Sequence, residues 1–527
     1  MNSKHSMLRT KPVEDVLAQA GGPDGEGGVD APGGAAGADG TAGGAGHTRL
    51  VRRLGPVDLM GFGIGIVIGT GIFTLTGIEA KNHAGPGVVI SFLVAGAVSL
   101  LAALCYAELA SSVPTAGSAY TYAYATIGEV FAWIIGWDLI LEFALGAAVV
   151  ARGWSGYLAN LFDLPPTLFG EGARVNVGAM AVVALLGVVA VVGIRESARV
   201  TNVLVAVKVL VCVFVIVLGA FFVKAANLTP FVPPAQPVAE GTSGLKQPLS
   251  QAVFGIEPTA FGFAGVLTAA AVVFFAYTGF EAVANLGEET RKPSRDLPLG
   301  LLGTLGICTV LYVGVSLVIT GMVPYTELDE GAPIASAFDA VGAGWAAVLI
   351  SIAAVAGLTS VILVDLVAMG RIGFSMGRDG LLPPTVAKVH PRWGTPYRIT
   401  IATVVLVMLL AGFVPLKALA DLVSIGTLFA FVVVSLAVPI LRRTRPDLRR
   451  PFRVMFSPVV PVLSALACLY LMTNLSIETW LRFLAWMVLG LLVYVFYGRR
   501  NARLATRTDS ATASAPPAPS AEADRAR

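Results

Sequence analysis

The sequence predicts an all-α integral membrane protein with twelve transmembrane helices, and three observations carry that reading. Of its 527 residues, 56% are hydrophobic and 13% charged, about half the charged share of a soluble domain. Apolar runs long enough to cross a hydrocarbon core of about 30 Å recur along the chain. The first and sixth of those runs carry interruptions at corresponding places, as the two halves of an inverted repeat would.

Bounded by charged or turn residues, the runs cover 57–78, 86–108, 128–151, 175–194, 200–223, 264–287, 299–323, 344–370, 399–414, 419–441, 458–476 and 481–498. Before them, "GGPDGEGGVDAPGGAAGADGTAGGAG" has linker composition, and no compact apolar core follows Lys4 and Arg9 as a secretory signal requires. Residues 1–50 and 501–527 are expected as disordered tails flanking a twelve-helix domain over 51–500. Inside that domain the two halves fall at about 57–223 and 264–441, with extra helices at about 458–498.

Lysine and arginine concentrate in cytoplasmic loops. With the N terminus inside, the inner loops hold Arg195 and Arg199; Arg291, Lys292 and Arg295; Arg378, Lys388, Arg392 and Arg398; and a block from Arg442 to Arg453. The outer loop "YTELDEGAPIASAFDA" holds none. Both termini are therefore expected in the cytoplasm and the chain in the cell membrane, surrounded by lipid bilayer.

A chain of many spans with no soluble catalytic domain is most simply a carrier. The only histidines, His5, His47, His83 and His390, lie in tails or loops, and no HExxH-type site occurs in a span, so no buried metal catalyst is expected. Cys105, Cys212, Cys308 and Cys468 lie in separate apolar runs without metal-site or disulfide spacing. The net charge of +3 says little about partners. No cofactor and no nucleic-acid partner are expected.

The first run contains "GFGIGIVIGTGIF", in which each glycine costs about 1 kcal/mol of helix propensity against alanine. The sixth contains "AAAVVFFAYTGFEAVANLGEE", with Thr278-Gly279 and the acidic Glu281 in apolar surroundings. Unwinding at Gly69, Thr70 and Gly71 frees N–H groups at the start of a half-helix, where the backbone dipole favours an anion such as a carboxylate. Carbonyls released near Val67 and Ile68, and near Phe275, Ala276 and Thr278, suit an ammonium group. Together they predict a site for a zwitterionic α-amino acid. The same glycines also suit close helix packing, and Gly61, Gly65 and Gly69 have the small-xxx-small spacing for it.

Ionisable residues inside spans are costly and tend to be functional. Lys208 lies about two turns into the fifth run. It reads either as a proton-coupling group, its ammonium standing where another carrier binds sodium, or as a lysine snorkelling to the interface. Asp138 and Glu142 are four residues apart and share a helix face that Gly146 continues. Glu142, near the centre of the third run, is the stronger candidate to face a cavity. Asp365 is the one acid of the eighth run, either facing a pocket or paired with Arg371.

The segments "GIVIGTGIFTLTG", "AGPGVVISFLVAGAVSLLAALCYAELASSVPTAGSAYTYAYATIGEVFAWIIGWDLILEFALG", "FFAYTGFEAV" and "GRDGLLP" resemble the amino acid–polyamine–organocation (APC) superfamily, most closely its cationic amino acid transporter branch. The resemblance covers roughly 50–500. It implies a leucine-transporter-like five-plus-five inverted repeat with two C-terminal helices, and alternating access between a bundle (spans one, two, six and seven) and a scaffold. Carried over by position, Thr70 and Gly71 match the carboxylate-binding amides. Val67, Phe275, Ala276 and Thr278 match positions around the amine and its aromatic cover. Lys208 matches the fifth-span lysine linked with proton coupling, and Glu142 an acid facing the pocket.

Two positions depart from the family pattern. Asp365 stands where the family commonly has a small or apolar residue, and Thr278 replaces a more usual apolar one. An acid in the pocket would attract a lysine, arginine, ornithine or diamine side chain. The resemblance thus implies an amino acid permease with amino acid and proton as its partners, and Asp365 adds a preference for cationic substrates. An amino acid or amine exchanger and a broad neutral permease are the alternatives. A nutrient sensor is disfavoured by the short, low-complexity tails. Lys208 argues against sodium coupling, for which Thr359 and Ser360 would otherwise offer oxygens.

Overall fold

A computed structural model describes residues 53–113, 118–193, 198–237 and 244–501, apart from 256, 258, 288, 384, 387 and 394. The two expected tails lie outside the described residues, save for 501 itself. Every one of the twelve expected runs is helical for most of its length.

In chain order the α-helices are α1 (Pro56–Val67), α2 (Thr76–Glu79), α3 (Val88–Ser112), α4 (Ser118–Thr126), α5 (Glu129–Phe162), α6 (Val177–Val192), α7 (Ala198–Gly219) and α8 (Leu249–Phe254). They continue as α9 (Gly262–Val273), α10 (Pro293–Met322), α11 (Pro333–Ala340), α12 (Gly344–Arg378), α13 (Tyr397–Phe413), α14 (Leu416–Thr444), α15 (Val459–Thr473), α16 (Ile477–Val493) and the single turn α17 (Arg499–Asn501). Among the described residues, eight helical stretches are long and apolar enough to cross a membrane, and α1, α6, α13 and α15 are shorter apolar helices. The chain is a multi-pass membrane protein.

Differences from the sequence reading lie at helix ends and in connections. The third and eighth runs were expected to stop at 151 and 370, but α5 reaches Phe162 and α12 reaches Arg378. At α5 the extra turns carry Arg152, whose guanidinium is buried yet satisfied by Glu171 Oε1 at 2.8 Å and by the carbonyls of Ala411 and Val414. Two connecting helices, α4 and α11, and a short antiparallel pair of Gln236–Pro237 with Thr259–Ala260 had no clear signal in the hydropathy.

The helices sort into two groups. In one, α10 packs along α1 and α3, and α3 also carries α9. In the other, α5 packs along α12, and both contact α6 and α13. On one side α7 touches α1, α10 and α12; on the other, α14 touches α3 and α5 and carries α15 and α16. Large apolar side chains such as Phe221, Phe263 and Val310 face outward, more than 70% exposed, as a lipid-facing surface requires.

Candidate functional site

Helix α1 ends at Val67, and Ile68 is extended (φ −74°, ψ 95°). A helical bond from the Phe73 N–H to the Gly69 carbonyl (3.3 Å) restarts the coil. The amides of Thr70 and Gly71 therefore stand in a first turn, where N–H groups have no partner within the helix. From Gly71 to Ala84 the chain runs in wide π-type turns on either side of α2.

The sixth run breaks in the same manner. After α9 and a tight turn over Phe274–Tyr277, Thr278 is extended (ψ 151°) and Gly279 takes φ +97°, a conformation that favours glycine. The Glu281 carboxylate caps this break, accepting the Gly279 N–H on both oxygens at 3.1 and 3.0 Å.

The two breaks lie against each other. A Cβ added to Gly71 would collide with the backbone of Ala276, and one on Gly279 with the Ile66 side chain. The Tyr312 hydroxyl fastens them, lying 2.7 Å from the Val67 carbonyl and 2.9 Å from that of Ala276. One of these carbonyls comes from each break, and a single hydroxyl has only one proton to share between them.

A cavity opens beside this junction, between the two helix groups. Val67, Gly69, Thr70 and Gly71 line it from the first break, and Phe275 and Thr278 from the sixth run. Glu142 and Gly146 come from α5 and Asp365 from α12. Nine of the predicted residues thus converge. Ile68 and Ala276 stay behind the wall, and Lys208 stands apart from it. The carbonyls proposed for an ammonium are partly engaged. Val67 and Ala276 receive Tyr312, and Phe275 receives the Thr278 hydroxyl at 2.9 Å. The Val67 and Ala276 oxygens each keep a second lone pair, whereas Phe275 also accepts the Thr278 N–H at 3.1 Å.

Asp365 turns into the cavity, where Oδ2 lies 3.4 Å from the position of a Cβ on Gly146, while Arg371 is exposed. Lys208 does not snorkel. It is 1% exposed, and its Nζ donates to the Gly65 carbonyl at 2.6 Å. The glycine stripe needs one correction: Gly65 packs against Val205, but nothing lies near Gly61, and Gly63 makes the tight contact with Thr304 and Val283 instead. Small-residue spacing shows that a face exists, not which glycine meets a neighbour.

The cavity also holds residues the sequence reading did not assign. Glu281 was visible as an acid in an apolar run, a signal that could have placed it. Ile66, Phe143, Val150, Val361 and Val423 form apolar wall, indistinguishable in sequence from lipid-facing residues. Among the described residues no group of three or more histidine, cysteine or acidic side chains is placed to hold a metal ion.

An amino acid permease family model matches residues 54–496. The chain is 43% identical to the methylthioribose transporter of Bacillus subtilis over 465 residues, 86% of this chain and 95% of that protein. It is also 43% identical to the branched-chain amino acid permease BcaP of the same organism, over 95% of this chain and 99% of BcaP. The vacuolar cationic amino acid transporter 4 of Arabidopsis thaliana is 39% identical over 76% of this chain and 65% of its own length.

Proposed function

The chain belongs to the amino acid permease family, and on that premise we propose that it is a proton-coupled amino acid importer with a preference for cationic substrates. It works in the cell membrane with twelve spans, an inverted repeat over spans one to ten, and both termini in the cytoplasm. The observation that carries the cationic preference is the convergence of three carboxyl groups, Glu142, Glu281 and Asp365, on one cavity beside the glycine break.

The substrate carboxylate binds the amides of Thr70 and Gly71, where the half-helix dipole favours negative charge. Its ammonium faces the remaining lone pairs of the break carbonyls, under the Phe275 ring. The side chain extends toward Asp365 and Glu142, which attract a guanidinium or a second ammonium. Lys208 serves as the coupling group through its bond to the first broken segment.

A second reading, a permease for neutral branched-chain amino acids, is favoured by the apolar wall of Ile66, Phe143, Val150, Val361 and Val423. The name of BcaP points the same way. Uptake of labelled arginine, lysine, leucine and alanine into proteoliposomes, with and without an inward proton gradient, decides between them. Arginine and lysine accumulating above leucine only with the gradient is the expected result. Leucine preference sinks the cationic reading, and accumulation that needs only internal amino acid sinks proton symport.

A further inference from the structure

Beside the cavity, toward the Glu129 end of α5, lies a buried carboxyl that substrate binding does not use. Asp138 is fully buried, and neither of its oxygens has a hydrogen-bond donor among the described residues. Facing it across α14 is Gly426, where a Cβ would come within 2.8 Å of Oδ1, so the absence of a side chain there gives the carboxyl its space. One turn along the same face stands Glu142, in the cavity wall. Tyr106 comes in from α3, its ring set edge-on against Phe280, the residue before the cavity's Glu281, and against Phe431, on the helix that carries Gly426, at 5.9 and 5.4 Å. The Tyr106 hydroxyl is buried without a hydrogen-bond partner among the described residues, with the carboxyls of Glu281, Glu142 and Asp138 near it.

A carboxyl placed in an apolar span with nothing to bond is strongly unfavourable. No packing role recovers that cost, since an apolar side chain fills space better. A carboxyl does one thing there that an apolar residue cannot: it takes up and releases a proton. A hydroxyl such as Tyr106 both accepts and donates, so it can pass a proton on.

We propose that Asp138, with Tyr106, is a proton-transfer site that empties the cavity of its proton toward the Glu129 end of the bundle. Glu142 gives its proton to the Tyr106 oxygen as the Tyr106 hydroxyl proton passes to an Asp138 oxygen. The O–H bond of Glu142 is broken, that of Asp138 is formed, and Tyr106 ends unchanged. When that face opens to water in the transport cycle, Asp138 releases the proton and is again a carboxylate. The charge moves one way as the proton moves the other.

This rests on the proton-coupled reading above, and the test separates the two. Proteoliposomes holding a pH-sensitive dye report proton entry during uptake, and counterflow exchange of labelled for unlabelled amino acid reports binding and conformational cycling alone. Expected is proton entry with wild type, at least a tenfold loss of it in Asp138→Asn, and a smaller loss in Tyr106→Phe. Exchange stays near wild type in both, and Asp138→Glu recovers proton entry. Proton entry by Asp138→Asn at the wild-type rate overturns the relay while leaving symport standing. Loss of exchange together with proton entry in Asp138→Asn overturns it in favour of a structural role. No proton entry with wild type overturns symport and the relay together.

Discussion

The Lys208 ammonium is bonded to the Gly65 carbonyl at 2.6 Å, and that contact links α7 to the last full turn before the first break. Gly357 on α12 allows it, because a Cβ there would press within 2.9 Å of the Lys208 side chain. The lysine therefore touches the first broken segment and lies against a helix of the opposite group. A change in its charge changes the bond that holds α1, which is what coupling a proton to a conformational step requires.

Lys208→Ala is accordingly expected to abolish gradient-driven accumulation, with substrate binding still measurable by ligand-induced thermal stabilisation. Accumulation at the wild-type level in this variant would show that the bond is only structural.

Asp365 gives the sharpest test of specificity. Its carboxyl enters the cavity opposite Gly146 while Arg371 stays exposed, so no intrahelical pairing draws it away. Asp365→Asn keeps the shape and removes the charge. Arginine affinity is expected to fall about tenfold, equivalent to about 1.4 kcal/mol, with leucine changed less than about twofold. Competition binding measures both, and equal losses for leucine and arginine refute the assignment.

The residues named so far divide by how far their sequence signal reaches. Helices are legible because apolar runs bounded by charge are a local property. Both breaks are legible because glycine and threonine there cost propensity in a span that otherwise has none to lose. The cavity lining was read through residue type: Glu142 and Asp365 stood out as acids among apolar neighbours. Tyr312 did not, since a tyrosine in an apolar helix is unremarkable until its hydroxyl is found on the Val67 carbonyl, 245 positions away. Asp138 was noticed for its charge, but that its oxygens lack partners among the described residues is a property of helices packed together. Chain order does not carry it.

Tyr312→Phe removes the hydroxyl that joins the Val67 and Ala276 carbonyls and leaves two buried acceptors with one donor fewer. The expected cost is about 1–3 kcal/mol, seen as a lower Tm in detergent and as weaker substrate binding from two breaks no longer fastened. An unchanged Tm would mean that water replaces the hydroxyl at no cost.

Gly71→Ala tests the approach of the two breaks most directly. The added methyl meets the Cα and Cβ of Ala276, a backbone contact with no flexible end to yield. Overpacking of this kind costs about 1–3 kcal/mol, and here it also pushes apart the amides and carbonyls that are to hold one substrate. Uptake is expected to fall at least tenfold while the protein still reaches the membrane, as surface labelling and size-exclusion profiles report. Ala276→Gly in the same chain removes one of the two atoms struck and is expected to restore part of the uptake. Wild-type transport by Gly71→Ala alone would show that the breaks stand further apart in the working protein than their contact here requires.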